Sequence, residues 1–290
     1  MAHRWRCSGL RWTPDGPVLV WDGGRRSALP WGKRVAFGVA EGSARQCVGA
    51  RGHVCPVGAV VSGRSTGARC EECARLDRAH SVAADTMADD PRPYHVYLAW
   101  FGPGMVKVGI TAVERGSARL LEQGAVCFSW LGAGPLMAAR RTEELLRAAL
   151  QVPDRIPYAE KRAVRAVLPE TEEERAQEVR EVHARAVVLG GWPESLTREP
   201  CRPVDHGRHF GLSRPQAAFG DVVELVPGGA VSGELVAAAG PDLHLAVDGR
   251  GVVVLDTRLM TGWELMPLPR EVSAFTVPAR EFRREQDGLF

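Results

Sequence analysis

In YHVYLAWFGPGMVKVGIT, residues 94–111, Val96, Leu98 and Trp100 alternate with other residues, and so do Val106, Val108 and Ile110. A period of two on both sides of a Gly-Pro-Gly turn predicts two half-buried strands of a hairpin. The period then lengthens. Residues 112–122 read as a helix stopped at Gly124, and residues 137–151 as a helix with Pro153 just beyond its end. Between them AVCFSWL, residues 125–131, is a third strand candidate. Residues 158–168 are helical in pattern. Thr171 and Glu174 form a capping box for a charged helix that ends at Gly190-Gly191.

The flanks are strand-rich. Pro17–Trp21, followed by Asp22-Gly23-Gly24, and Arg34–Val39 are strand candidates. Residues 47–75 have little periodicity, 81–93 (SVAADTMADDPRP) read as a linker, and 191–219 as loop. From 220 to 268 the runs DVVELV, GELVAAA, LHLAVDG, GVVVLD and TGWELMPL are separated by turns at short, regular intervals. That pattern predicts a small barrel or sandwich, which could also pack on the N-terminal strands as one composite β domain. The closing AREFRREQDGLF is charged, a tail or an edge helix. The expected class is α+β, divided into a β-rich cysteine-bearing region at 1–80, an α/β domain at 94–190 and a barrel-like domain at 205–270.

At 290 residues, 45% hydrophobic and 25% charged, the composition is that of a globular chain with a sizeable core. The net charge of +2 gives no strong overall field, so a nucleic-acid site must be a local patch. No apolar run is long enough to span a membrane, and MAHRWRCSGLRW has no apolar core of a secretory signal. A cytoplasmic location is expected, in which the seven cysteines would be thiols or metal ligands rather than disulfides.

Four of them follow the pattern Cys47-x7-Cys55-x14-Cys70-x2-Cys73. A C-x2-C pair offers two thiolates from one turn, and a second pair from another loop completes a tetrahedral shell for structural Zn²⁺. His53 could replace Cys47 or Cys55, and four unrelated buried thiols are the alternative. Cys7 and Cys127 read as ordinary thiols. Cys201 with His206 and His209 could form a second metal site, against a plain loop.

If Phe101 faces Met105 across the turn, Tyr97 lies opposite Gly109 and Lys107 opposite Ala99, which makes Tyr97 and Lys107 diagonal neighbours on one face. Small residues around them leave room for a ligand. In the next helix Val113, Ser117, Leu120 and Leu121 face inward, with Arg119 on the flank and Arg115 further out. In the helix after, Ala139, Leu146, Ala149 and Leu150 form the apolar stripe. Glu143 sits at its margin, where a carboxylate needs a cation or an arginine.

The order V-Y-L, turn, K-V-G-I-T, helix with R-L, helix with R-x-x-E resembles the GIY-YIG nuclease superfamily, in variants with lysine at the second tyrosine. The resemblance implies that Tyr97, Arg119 and a metal-binding Glu143 surround a scissile phosphate, with Lys107-Val108-Gly109 where Tyr-Ile-Gly would stand. His95-Val96-Tyr97 replaces Gly-Ile-Tyr, and the late asparagine of many such nucleases is missing, because the chain contains no asparagine. Over residues 30–265 the chain more closely resembles the prokaryotic domain-of-unknown-function family 2797, through the cysteine cluster, Y-x-V-Y-L-A, K-V-G-I-T, E-Q-G-A, A-R-x-x-E and spaced C-terminal glycines.

Three functions follow as expectations. One is a Mg²⁺- or Mn²⁺-dependent endonuclease or phosphodiesterase acting on DNA or RNA, with Tyr97, Lys107, Arg119 and Glu143 as its catalytic set. Another is a nucleic-acid-binding module without catalysis. The third is different chemistry on a small molecule in the same fold. The C-terminal β segment is expected to have a structural or docking role, because Trp263 is the only aromatic between Phe219 and Phe275.

Overall fold

A computed structural model describes residues 3–79, 90–212 and 217–282. The chain divides into two compact units, Met1–Asp77 with Gln216–Phe290, and Arg78–Pro215. Most of the linker expected at 81–93 and most of the charged tail lie outside the described residues.

The first unit opens with β1 (Trp5–Thr13), β2 (Gly16–Trp21), β3 (Arg26–Ala28) and β4 (Arg34–Val39), followed by the cysteine loop and α1 (Glu71–Ala79). The second contains β5 (Pro93–Trp100), β6 (Val106–Ala112), α2 (Ala118–Gln123), β7 (Cys127–Pro135), α3 (Leu136–Leu150), α4 (Tyr158–Val164), α5 (Glu172–Val187), β8 (Thr197–Arg198) and β9 (Val204–Asp205). The chain then returns to the first unit with β10 (Ala218–Val222), β11 (Ala230–Ala239), β12 (Asp242–Val247), β13 (Gly251–Asp256), β14 (Glu264–Pro267) and β15 (Ala279–Glu281).

The first unit is one mixed ten-stranded sheet in the order β15-β10-β13-β12-β11-β4-β14-β1-β2-β3. The C-terminal strands therefore do not close a small barrel of their own but join the N-terminal strands, the composite arrangement that the pattern also allows. β4 inserts between β11 and β14, and β14 pairs with β1, so the N-terminal strands supply partners that a barrel would have taken from its own ends. Part of the expected charged tail is the edge strand β15, antiparallel to β10. Arg45, 1% exposed, ties the cysteine loop to the segment after β13. Its guanidinium donates to the backbone carbonyls of Thr261 (2.8 Å), Ser62 (2.6 Å), Ser65 (2.5 Å) and Arg258 (2.7 Å).

The second unit is a five-stranded antiparallel sheet, β6-β5-β7-β8 with β9 also on β7. The hairpin register pairs Tyr97 with Gly109 and Ala99 with Lys107, as the turn dictates. β5 is not half-buried. It lies between β6 and β7, and its residues from Val96 to Trp100 are buried whichever way they point. On the Tyr97 side the core is Tyr97, Ala99, Phe101, Phe128, Leu120 of α2 and Ile156. α3 and α5 pack on β5, β7 and each other. α2 is shorter than its sequence pattern, because a 3-10 turn at Val113–Arg115 and Gly116 precede it, and it ends at a left-handed Gly124. α3 buries Leu136, Ala138, Ala139, Thr142 and Leu146, while Ala149 of the expected stripe is exposed. α5 carries the capping box, Thr171 and Glu174 each bonding the other's backbone N–H. Among the described residues no helix is long and apolar enough to cross a membrane.

Candidate functional site

Two constellations gather reactive side chains. In the first unit the Sγ atoms of Cys47, Cys55, Cys70 and Cys73 all lie within 4.8 Å of one another. A tetrahedron with Zn–S bonds of about 2.3 Å has edges of about 3.8 Å. The Cys55–Cys70 separation is 3.9 Å, matching that edge and far too long for a disulfide.

Local backbone makes the quartet. Gly49 adopts φ +75°, and a Cβ there would lie 1.8 Å from the His53 carbonyl, so only glycine lets the loop fold back after Cys47. The N–H groups of Gly49 and Cys70 point at the Cys47 sulfur, at 3.4 and 3.2 Å. The second pair is delivered by the start of α1, an element the aperiodic sequence did not announce. Backbone N–H groups of Ala59 and Val57 pull the Cys55 thiol down to about 6, whereas burial pushes Cys73 up to about 12. Four thiolates this close repel one another without a cation between them, and the geometry and softness of the set fit Zn²⁺. The cluster forms without His53. Cys201, His206 and His209 do not gather as a metal-binding group among the described residues, and His206 Nδ1 instead meets the Ala125 carbonyl at 2.9 Å.

The second constellation is on the hairpin. Tyr97 lies across the backbone of Gly109, where a Cβ would come within 2.4 Å of the phenol oxygen, so glycine opposite is a condition of the ring's position. The room expected beside Gly109 is thus taken by the Tyr97 ring itself. Tyr97 is 1% exposed and Lys107 8%. The Lys107 ammonium sits 5.9 Å from the Tyr97 ring centroid and donates to the Asp154 carbonyl at 2.9 Å. The loop holding Asp154 runs along the outer edge of β6, where Val108 N–H bonds the Pro153 carbonyl. That loop and the end of α3 line a depression of about 460 Å³ formed by Glu144, Arg147, Gln151 and Asp154 among others.

Burial, helped by the nearby Arg119, pulls the Lys107 amine down to about 8. Burial, reinforced by Asp154 and opposed by Lys107, holds the half-buried Glu143 carboxyl above its ordinary range. Burial also raises the Tyr97 phenol, against the Gln123 amide and Arg119. Arg119 is exposed, and neither it nor Glu143 has an ion pair among the described residues. Arg119 and Glu143 therefore each act electrostatically on both Tyr97 and Lys107, which are buried, with Glu143 half-buried and Arg119 exposed. Gln123 was not singled out by the sequence, though it belongs to E-Q-G-A. It follows Arg119 by four positions on α2, and its Nε2 donates to the Tyr97 hydroxyl at 2.9 Å. Its helical spacing from Arg119 was the available signal.

No curated protein and no solved structure gives a significant match to the chain. A family model described as Protein of unknown function (DUF2797) matches residues 32–265, and the chain belongs to that family.

Proposed function

We propose that the central unit is a divalent-metal-dependent phosphodiesterase acting on nucleic acid, organised like the GIY-YIG nucleases that its motifs resemble. The observation that carries this reading is the placement of Lys107, buried beside the Tyr97 ring and bonded to the Asp154 carbonyl, where burial lowers its amine to about 8 and holds nearby Glu143 above its ordinary range. Opposed displacements of neighbouring titratable groups are the signature of acid–base sites.

At pH 7 about a tenth of such an amine is neutral, against well under a thousandth for a free lysine. Neutral Lys107 accepts the proton of an attacking water that Tyr97 orients. The water oxygen bonds to phosphorus as the ester P–O bond breaks, and the departing oxygen leaves as an alcohol after taking a proton from solvent. Arg119 neutralises charge growing on the phosphoryl oxygens. Glu143, with Asp154 near enough to act on it, suits a hard cation that keeps most of its water and asks for one or two carboxylates. When bound, Mg²⁺ or Mn²⁺ would polarise the phosphoryl group. The cysteine cluster holds structural Zn²⁺ and takes no part in the reaction.

The test is a panel of single-stranded, double-stranded and branched DNA and RNA with Mg²⁺ or Mn²⁺. Cleavage that Glu143→Ala abolishes while folding and binding persist supports the reading. Arg119→Ala should slow it roughly ten- to a thousand-fold, the scale of one lost preorganised donor. Binding without cleavage across the panel assigns the protein to the non-catalytic class, and neither assigns it to small-molecule chemistry.

A further inference from the structure

We propose that Gln123 is a positioning residue that turns the Tyr97 hydroxyl hydrogen out toward the site. The inference rests on the reading of Tyr97 above and deepens it.

A phenol oxygen carries one hydrogen and can also accept. In this structure it accepts the Gln123 amide N–H at 2.9 Å, with Gln123 only 7% exposed and Tyr97 1%. The hydroxyl's own hydrogen must therefore go to a different acceptor. The ring is held in place over Gly109 by the core packed around it, Ala99, Phe101, Leu120 and Phe128 among them.

Gln123 is held as firmly. It closes α2 against the left-handed Gly124, and its carbonyl accepts from the buried Lys161 ammonium at 3.1 Å. That ammonium sits 3.7 Å from the Phe101 ring centroid and 4.5 Å from that of Tyr158. One short helix thus delivers both the Arg119 guanidinium and the amide that orients Tyr97. An aliphatic side chain at 123 facing a phenylalanine at 97 would satisfy the same packing with no polar group to bury, so the pair is directed at more than packing.

The test separates direction from mere support. The full chain is labelled with fluorotyrosine at its three tyrosines, and the Tyr97 resonance, assigned by its loss in Tyr97→Phe, is titrated by fluorine NMR. Gln123→Met removes the donor and should raise the pH at which Tyr97 ionises by about one unit. Gln123→Glu keeps a partner but reverses the bond, and should raise it at least as far. In cleavage assays both variants should lose about ten-fold or more in kcat with little change in KM, and neither should add to the loss in Tyr97→Phe.

A fall in the ionisation pH of Gln123→Met would mean that the phenol donates to Gln123, and would overturn the proposal. So would an unchanged titration, or full activity in Gln123→Glu. The titration needs no substrate. If the unmodified protein cleaves nothing in the panel, the phosphodiesterase reading fails while the titration still decides how Gln123 bonds. Should Gln123→Met not fold, Gln123→Leu, another uncharged side chain without a donor, is titrated in its place, because the charge of Gln123→Glu would itself raise the phenol.

Discussion

Replacing Lys107 by methionine should stabilise the central unit at neutral pH while abolishing the proposed cleavage. The folded protein holds this amine at about 8 instead of its ordinary 10.5, chiefly by burial. A displacement of that size corresponds to roughly 3 kcal/mol by which folding disfavours the charged form. Methionine keeps the stem's apolar contacts but gives up the hydrogen bond to the Asp154 carbonyl, worth about 1 kcal/mol net. The balance is a gain of about 2 kcal/mol at pH 7. The sign depends on pH. Between about 8 and 10.5 the unfolded chain binds the proton that the folded one has released, so the wild type grows more stable as pH rises. Its deficit is fully present below about 8 and gone above 10.5, where the methionine variant should be the less stable by about the lost hydrogen bond. Hydrogen exchange of the amides in 94–112, read at pH values on both sides of this window, reports opening of this unit separately from the ten-stranded sheet. A variant less stable than wild type at pH 7, by the same amount at pH 10, would refute the argument. It would mean that the lysine is an ordinary support of the loop at 152–156. A buried lysine that costs stability fits a site built for chemistry over stability.

If the quartet holds Zn²⁺ as its geometry suits, a strong chelator should release one equivalent per chain and expose the 45–73 loop to proteases, because four thiolates this close need a cation to hold them together. Purified protein with four freely alkylated thiols and no zinc would contradict it. Gly109→Ala should cost about 1–3 kcal/mol by forcing the Tyr97 ring aside. The penalty should largely vanish in a Tyr97→Ala background, measurable as a double-mutant cycle in thermal melts. Arg45→Ala leaves four backbone carbonyls without their donor and should cost several kcal/mol in denaturant unfolding, at about 1 kcal/mol or more for each. Arg45→Lys should restore little, since one ammonium cannot span the positions that a guanidinium reaches.

Local pattern by itself determined the hairpin and its register, because the side-chain period of a strand is two and the Gly-Pro-Gly turn sets which residues oppose. It determined α3, and α5 down to its capping box, because helix ends carry their own side-chain signals. The cysteine quartet was legible for the same reason, since ligand spacing is a local constraint, although the helix that presents its last member was not. Only the tertiary structure decided that residues 5–39 and 218–281 share one open sheet. Strand edges pair through backbone groups common to every residue, so the sequence of β14 does not say that β4 and β1 will flank it. Nor could periodicity tell that Tyr97 and Lys107 would be enclosed. The amine at about 8 and the phenol bonded to Gln123 depend on a loop near residue 154 and a helix near residue 120 closing over the strands. Charge and hydrogen-bond energies follow how much water those distant segments exclude, a property of the assembled fold and not of any stretch of chain.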